Sequence, residues 1–290
     1  MSARAYKVVD VFTSSPLKGN PVAVVLDADG LDTKAMQGIA RWTNLSETTF
    51  LLHPSRSEAD YRLRIFTPQS ELPFAGHPTI GSAFAALEAG IIQPKNGVLV
   101  QECGVGLVTV HVLSMGSQRQ IGFGLPPAKF TSLAHSDVAE LEAILGQEVV
   151  KSAPPGIVNV GAVWVVAQLA SVERLLALTP DYARSAQFER RMGVTGLTLF
   201  ARYEGGDKAI EVRSFAPSSG VNEDPVCGSG NGSIAVFLRE RGLIPAMNKS
   251  YVAGQGQCVA RDGRVMVSVD DDGITVGGSC VICVEGTLNY

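Results

Sequence analysis

The sequence predicts an α+β protein made of two similar domains, at residues 1–120 and 121–290, with a last strand that could return to the first half. Segments of alternating apolar residues, typical of strands, are interspersed with segments of helical spacing. The order strand, helix, strand, strand, long loop, helix, strands occurs twice. In addition, Arg64-Ile-Phe-Thr-Pro68 matches Arg213-Ser-Phe-Ala-Pro217. Matching segments about 150 residues apart indicate duplicated domains, because solenoid repeats are much shorter.

The first half opens with a strand at Tyr6–Phe12, where β-branched residues alternate with others. Asp32 or Thr33 is the predicted N-cap of the first helix, and Gly90 ends the second. A long loop rich in Pro and Gly precedes that second helix. The other elements predicted in this half are strands at 22–26, about 47–52 and 61–66, helices at 32–42 and about 79–89, and two short strands within 97–112.

The second half begins after Gln120–Phe130, which glycines and prolines interrupt and which is therefore predicted to cross between the halves. A glycine-rich loop again precedes a helix, here near residue 230. The remaining predicted elements are a helix at 136–145, strand structure within 156–169, a helix at 172–178, another helix starting at Pro180, strands at 197–201 and 209–215, and short strands from Tyr251 to the end.

The stretch Asn222–Arg241 is polar and turn-forming at its start and has helical apolar spacing at its end. A glycine loop that runs into a helix presents backbone N–H groups at the positive end of the helix dipole, which favours anion binding. An ordinary helix start with Ser229 or Asn231 as the cap explains the same pattern. The duplication places Glu71-Leu-Pro-Phe-Ala-Gly-His77 on Glu223-Asp-Pro-Val-Cys-Gly-Ser229, so we expect a cleft between the domains, lined by both loops and both helix N-termini.

The composition excludes several classes of protein. Of the 290 residues, 46% are hydrophobic and 18% charged, which is typical of a packed globular chain. The net charge is −4 and the basic residues are scattered, so no nucleic-acid partner is expected. No apolar run approaches a membrane span, and the N-terminus lacks a signal core, so we predict a cytoplasmic protein without a membrane partner. Five cysteines do not suit a fully paired secreted framework.

A metal site is not expected. Cys280 and Cys283 have the spacing of a ligand pair, but they lie in a predicted strand, where their side chains point to opposite faces. No second such pair and no nearby histidine completes a ligand set.

Long motifs in family order carry a resemblance to known proteins. They are Asp10-Val-Phe-Thr, Gly19-Asn-Pro-Val-Ala-Val-Val, Ser46-Glu-Thr-Thr-Phe, the segment from Arg64 to Gly81, and the segment from Arg213 to Gly230. With these motifs the chain resembles the PhzF-like phenazine-biosynthesis family, which has the diaminopimelate epimerase-like fold. The resemblance implies two domains related by a pseudo-twofold axis, each a mixed sheet wrapped around a central helix. It also implies an active site between them, no cofactor, and a homodimer.

Glu47 is the predicted proton shuttle. The family's catalytic glutamate occupies this position of the Ser-Glu-Thr-Thr-Phe motif. Moving a proton between carbons needs one group that acts first as base and then as acid, and burial in an apolar cleft would raise the pKa of a carboxyl towards neutrality. A solvated glutamate at a strand start is the alternative. In the repeat, Leu197 falls on Glu47, so only one half supplies an acid.

His77 and Asp224 are the other predicted catalytic residues. The resemblance implies a catalytic or substrate-contacting role for His77, and the helix dipole would lower its pKa and keep it neutral. Asp224 would contact a polar substituent of the substrate or orient His77, although an aspartate before Pro225 is also a common turn former. Backbone N–H groups and a hydroxyl are expected to hold a substrate carboxylate, and they belong to Gly76, Gly228, Ser229 and Gly230.

Cys227 departs from the family pattern. Related racemases and epimerases use one thiol from each half, and here the first half has Ala75-Gly76-His77 instead, which excludes a two-thiol racemase. A thiol at a helix N-terminus is expected to have a depressed pKa, so Cys227 could be a second acid/base with Glu47. Alternatively it is a small buried residue. Arg64 and Arg213 recur at matching positions, which favours a structural role in each half.

The predicted function is that of a cofactor-independent isomerase, similar to trans-2,3-dihydro-3-hydroxyanthranilate isomerase. It would move a proton between carbons of a small cyclic or unsaturated carboxylic acid. One alternative is an epimerase or dehydratase of an amino or hydroxy acid that uses Glu47 with Cys227. The other is a non-catalytic protein that binds small carboxylates or a partner.

Overall fold

The computed structural model describes residues 3–115, 118–244, 249–271 and 273–290. The chain divides into two compact units. The first comprises Met1–Gly124 together with Gly277–Tyr290, and the second comprises Leu125–Val276. The C-terminal segment therefore belongs to the first unit. Within the described residues, no helix has both the length and the apolar character needed to cross a membrane.

The first unit is a mixed sheet with two helices. Its helices are α1 (Thr33–Thr43) and α2 (Gly76–Glu88). Its strands are β1 (Ala3–Val11), β2 (Asn20–Val25), β3 (Thr48–Leu52), β4 (Tyr61–Phe66), β5 (Glu71–Leu72), β6 (Val98–Cys103), β7 (Gly106–Met115) and β8 (Gln118–Gly124). They are completed by most of the final strand of the chain, which spans Ile274–Asn289.

The second unit contains the other four helices of the described chain. These are α3 (His135–Leu145), α4 (Val172–Leu176), α5 (Tyr182–Met192) and α6 (Gly228–Glu240). Its strands are β9 (Lys129–Ser132), β10 (Gly156–Val160), β11 (Ala162–Gln168), β12 (Gly196–Arg202), β13 (Ile210–Ala216), β14 (Val221–Asp224), β15 (Ser250–Gln255), β16 (Gly263–Val269) and the start of β17 (Ile274–Asn289).

The strand pairings of the first unit form a closed ring. β17 pairs with both β1 and β8, and the order continues through β2, β3, β4, β6 and β7 back to β8. The β2–β3 and β4–β6 pairs are parallel and the others with a known register are antiparallel. Ten of the thirteen residues of helix α2 are buried, as expected of a helix enclosed by a sheet.

The second unit repeats this order of pairings. β11–β12 and β13–β15 are parallel, as are their counterparts β2–β3 and β4–β6. Helix α6 is the counterpart of α2, and ten of its thirteen residues are buried. An apolar core lies on the other side of these strands, where α3 and α5 contribute Leu141, Ile144 and Phe188. The two units therefore share an order of parallel and antiparallel pairings. That they are copies of one duplicated domain remains a prediction.

Three predictions about elements were wrong. Helix α2 starts at Gly76 rather than near Thr79, because proline is tolerated in a first helical turn and Pro78 is the third residue. Residues 120–124 form part of strand β8 rather than a crossing. A Cβ at Gly277 would lie only 2.8 Å from the Cα of Gly122, so glycines allow two strands to approach closely there. The C-terminus is one long strand, β17, rather than several short ones.

Candidate active site

Glu47 and His77 lie close together in the first unit. Glu47 immediately precedes β3, and its carbonyl accepts a hydrogen bond from the N–H of Ala23 on the parallel strand β2. His77 is the second residue of α2. Its Nε2 lies 3.4 Å from Oε2 of Glu47, and the side chains are 8% and 16% exposed. The structure therefore brings two of the three predicted catalytic residues into one buried pair.

The imidazole of His77 is neutral and its orientation is fixed. Burial lowers the pKa of His77 to about 3, and a hydrogen bond to the backbone of Pro21 opposes this shift only in part. The direction agrees with the expectation from the helix dipole, but burial is the main cause. Proline has no N–H, so the Pro21 carbonyl is the acceptor and the ring donates. Because Nε2 makes no hydrogen bond, Nδ1 is the donating nitrogen, and Nε2 presents a lone pair towards Glu47.

Gly76 is required by close packing at the start of α2. A Cβ at this position would lie 2.6 Å from the ring of Phe123 on β8. The residue before it, Ala75, is the N-cap and makes no side-chain capping bond. The first N–H groups of this helix therefore lack the side-chain partner that a Ser or Asp cap would supply. A substrate carboxylate at these groups remains a prediction.

In the second unit, Asp224 and Cys227 flank the turn that leads into α6. Asp224 is the last residue of β14, and its Oδ1 accepts a hydrogen bond of 3.1 Å from the N–H of Val226. Burial raises the pKa of Asp224 to about 6, although hydrogen bonds from Cys227 and Val226 favour its ionised form. A carboxyl of this pKa changes its protonation state close to neutral pH, as a general acid/base requires.

Cys227 is the N-cap of α6, and the prediction of a depressed pKa was wrong. Its Sγ accepts a hydrogen bond of 3.3 Å from the N–H of Gly230, which favours the thiolate. Burial and the neighbouring charge of Asp224 outweigh this effect, so the pKa of Cys227 is raised well above its usual value. The group at this position is therefore a thiol, and the thiol proton is donated to the Asp224 carboxylate.

The same contact corrects the prediction for Gly230. Its N–H was expected to be open to a substrate carboxylate, but it is donated to Cys227 Sγ. Gly230 is needed for a different reason. A Cβ there would lie 2.8 Å from Oγ of Ser214 and 2.9 Å from Oγ1 of Thr198, two hydroxyls that bond to each other. The glycine allows the helix to pack directly on strands β12 and β13.

A hydrogen bond from Trp164 restricts the orientation of the Ser229 hydroxyl. Its Oγ accepts a 3.0 Å hydrogen bond from Nε1 of Trp164 on β11 and lies 3.6 Å from Sγ of Cys227. An indole N–H only donates, so the Ser229 proton points to another acceptor. The acceptor that the structure offers is Cys227 Sγ, whose ionised form this hydrogen bond favours. The contact of the Ser229 hydroxyl with a substrate carboxylate remains a prediction. The contact of Gly228 with a substrate remains a prediction.

The sequence did not predict that Trp164 and Gln255 contact the residues around the start of α6. The sequence indicated a core role for Trp164, and it is indeed buried, but its contact with Ser229 links residues far apart in the chain. Gln255 accepts a hydrogen bond from the N–H of Cys227 and donates one to the carbonyl of Asp224. The only signal in the sequence was a polar residue at the end of a largely apolar strand.

Among the described residues, no group of three or more His, Cys, Asp or Glu side chains has an arrangement that could hold a metal ion. Cys280 and Cys283 both lie on β17, in the strand that the sequence predicted for them. The chemistry that the described residues offer is that of buried acids, a neutral imidazole, a hydroxyl and a thiol.

Comparison with known proteins gives a consistent result. The family model described as phenazine biosynthesis-like protein matches residues 9–286. A Schizosaccharomyces pombe protein named antisense-enhancing sequence 1 is 41% identical, with 99% of both chains covered. A trans-2,3-dihydro-3-hydroxyanthranilate isomerase from Pseudomonas chlororaphis is 35% identical, with 96% of this chain and 99% of that protein covered.

Solved structures support the fold. A phenazine biosynthesis protein of the PhzF family from Bacillus anthracis has a TM-score of 0.89 and 26% identity, with both chains fully covered. A hydroxyproline epimerase from Agrobacterium vitis has a TM-score of 0.67 and 16% identity, with 99% of this chain and 92% of that chain covered. The second likeness shows the fold alone. Together they confirm the coarse prediction of a sheet-dominated fold common to PhzF-family proteins and to this epimerase.

Proposed function

The chain belongs to the phenazine biosynthesis-like family, and we propose that it is an isomerase that moves a proton between carbons of a small cyclic or unsaturated carboxylic acid. The observation that carries the proposal is the buried pair of Glu47 and His77, whose Oε2 and Nε2 are 3.4 Å apart. An isomerisation conserves all atoms, so a single group that removes and returns a proton is sufficient.

Glu47 is the proton carrier in this mechanism. Its carboxylate takes a proton from one substrate carbon, and the electron pair of the broken C–H bond moves into the adjacent π system. The new Glu47 O–H then gives the proton to a second carbon, and the carboxylate is restored. His77 supports both steps, because its Nε2 lone pair can accept a hydrogen bond from the protonated carboxyl.

The remaining groups would bind the substrate. Within the second unit, a carboxylate is suited to the Ser229 hydroxyl and to the N–H of Gly228 at the start of α6. Within the first unit, the N–H of Gly76 at the start of α2 is a group of the same kind. Asp224, with a pKa of about 6, would accept a hydrogen bond from an amino or hydroxyl substituent. The proposal further holds that the two units are copies of one duplicated domain, that no cofactor is used, and that the chain is a cytoplasmic homodimer.

The alternatives have less support. In an epimerase that pairs Glu47 with Cys227, the sulfur acts as an acid in one direction and as a thiolate base in the other, and the raised pKa of Cys227 opposes the second role. A non-catalytic binding protein would not need a buried carboxyl beside a neutral imidazole. It also fits poorly with the relatives that are named isomerases.

The test is turnover of trans-2,3-dihydro-3-hydroxyanthranilate in deuterated water, followed by NMR. We expect a product with the hydrogen at a new ring carbon, partly exchanged for deuterium. The Glu47→Gln variant is expected to lose at least about 10²-fold in kcat. Glu71→Gln, which changes a surface carboxylate bonded to Arg64, is the matched control and should keep its activity. Full activity of Glu47→Gln would contradict the mechanism, and no turnover by the wild type would contradict the choice of substrate.

A further inference from the structure

Gln255 occupies the centre of a buried hydrogen-bond network at the start of α6. Its side-chain oxygen accepts from the Cys227 N–H at 3.0 Å and from Nδ2 of Asn231 at 2.8 Å. Its side-chain nitrogen donates to the Asp224 carbonyl at 3.1 Å. Asn231 closes the network by donating to the Cys227 carbonyl at 2.9 Å. These bonds fix which end of the amide faces which partner, since the oxygen meets two donors and the nitrogen meets an acceptor.

The backbone next to Gln255 packs closely against the turn between Asp224 and Cys227. Gly256 has a φ of +104°, and a Cβ there would lie 2.6 Å from the Pro225 carbonyl oxygen. A Cβ at Gly263 would lie 2.4 Å from the side chain of Val226. Two glycines thus allow strands β15 and β16 to pack directly against the two residues that separate Asp224 from Cys227.

The duplicated half provides a comparison within the same chain. Gln101 on β6 is also fully buried, and it donates to Oγ1 of Thr79 at 3.1 Å. Thr79 is the fourth residue of α2, as Asn231 is the fourth residue of α6. Both halves therefore use a buried glutamine to hold the first turn of the central helix. Only the glutamine of the second half also bonds to both residues that flank a turn in the site.

We propose that Gln255 is a positioning residue of the isomerase, which holds Asp224 and Cys227 in the geometry that the reaction needs. The proposal rests on the proposed function, because it assumes that Asp224 contacts the substrate. The Asp224 carboxyl is faced by the Cys227 thiol, the Val226 N–H and the charge of Glu223. When the network is broken, the turn can relax and the thiol loses its alignment with the carboxylate. A lost hydrogen bond to the ionised form disfavours that form.

The experiment compares Gln255→Leu and Gln255→Met with Gln101→Leu in the full-length protein. The first readout needs no substrate: the carboxyl carbon of Asp224 is titrated by ¹³C NMR and assigned with Asp224→Asn. We expect both Gln255 variants to move its midpoint upward by roughly one pH unit and Gln101→Leu to leave it unchanged. The second readout is kcat and KM for trans-2,3-dihydro-3-hydroxyanthranilate. We expect kcat of the Gln255 variants to fall by up to about 10²-fold, with KM changed less.

An unchanged Asp224 titration in folded Gln255 variants would overturn the proposal and leave Gln255 a structural residue like Gln101. Unfolding of both Gln255 variants would overturn it as well, because a positioning residue is expected to leave a folded protein. If the titration moves but the wild type does not turn over the substrate, the proposed substrate fails and the role of Gln255 in holding Asp224 stands.

Discussion

Nε2 of His77 lies 3.4 Å from Oε2 of Glu47, and the ring is held in place from its other side by the Pro21 carbonyl. The three residues come from three motifs that are separated in the sequence, yet they meet beside one end of α2. The Pro21 carbonyl selects the tautomer in which Nδ1 carries the proton. A neutral histidine in this tautomer can accept a hydrogen bond from the protonated carboxyl of Glu47, and it does not take up the proton itself.

The tautomer of His77 can be observed directly. We expect ¹⁵N NMR to show a neutral ring protonated on Nδ1 from about pH 5 to about pH 8, because burial lowers the pKa of His77 to about 3. His53 is an internal control, since it is exposed and its pKa is raised by a hydrogen bond to Asp29. A His77 ring that titrates together with His53, or that carries its proton on Nε2, would contradict the assignment.

The role of Cys227 is decided by two substitutions. Cys227→Ser keeps a donor to Asp224, so we expect its kcat to stay within about tenfold of the wild type. Cys227→Ala removes the donor and should move the Asp224 titration upward. Both are measured beside Glu47→Gln, with turnover assayed in deuterated water. A Cys227→Ser variant as inactive as Glu47→Gln would instead favour the two-base epimerase.

The sequence was sufficient for the family and for the sheet-dominated fold, because long motifs in family order span most of the chain. Repeated motifs such as the one at Arg64 and Arg213 predict a duplication, and the two units share an order of strand pairings. The duplication itself remains a prediction. Glu47 and His77 lie in long motifs at a strand start and a helix start. Their proposed roles rest on the resemblance of these motifs to the family, whereas periodicity alone placed the start of α2 three residues too late.

The predictions that were wrong concern properties that depend on burial and on contacts between distant segments of the chain. The rule that a helix N-terminus depresses the pKa of a thiol holds where the thiol is solvated, but Cys227 is enclosed and lies beside Asp224. The sequence predicted a substrate contact for the N–H of Gly230, because no local pattern shows that this N–H donates to Cys227 Sγ. Trp164 and Gln255 act through partners that are tens of residues away, and no local pattern reports such pairs.

The two equivalent arginines differ in how much they stabilise the protein. Arg213 makes paired bonds with Glu223, both side chains are almost fully buried, and Nη1 also donates to backbone carbonyls such as that of Leu178. Arg64 pairs with Glu71 in the same way, but Glu71 is 39% exposed. Each contact joins a strand to the short strand that follows it, β4 to β5 for Arg64 and β13 to β14 for Arg213.

We therefore expect Glu223→Gln to lower the free energy of unfolding by about 3–5 kcal/mol, since it leaves a buried charge unpaired. Glu71→Gln, the matched change in the other half, should cost only about 0–1 kcal/mol. Urea denaturation of both variants at one pH measures the difference. Equal costs would show that burial does not distinguish the two ion pairs.

Asp224 should make stability depend on pH in a characteristic direction. Burial raises its pKa from 3.8 to about 6 in the folded protein, so the folded state holds the proton more tightly than the unfolded state. The resulting stabilisation is complete below the unfolded pKa of 3.8 and is lost as the pH rises through about 6. For a shift of this size, the loss amounts to about 3 kcal/mol.

The variant Asp224→Asn has no carboxyl to ionise, so its stability relative to the wild type should improve by about 3 kcal/mol between about pH 4 and about pH 8. Asp271→Asn is the control, because it makes the same change in a side chain that is 97% exposed. Urea denaturation of the three proteins across this pH range gives the comparison. A constant difference between Asp224→Asn and the wild type would mean that Asp224 ionises as easily in the fold as in water. A relative gain without activity would show that the protein keeps a destabilising carboxylate because the reaction needs it.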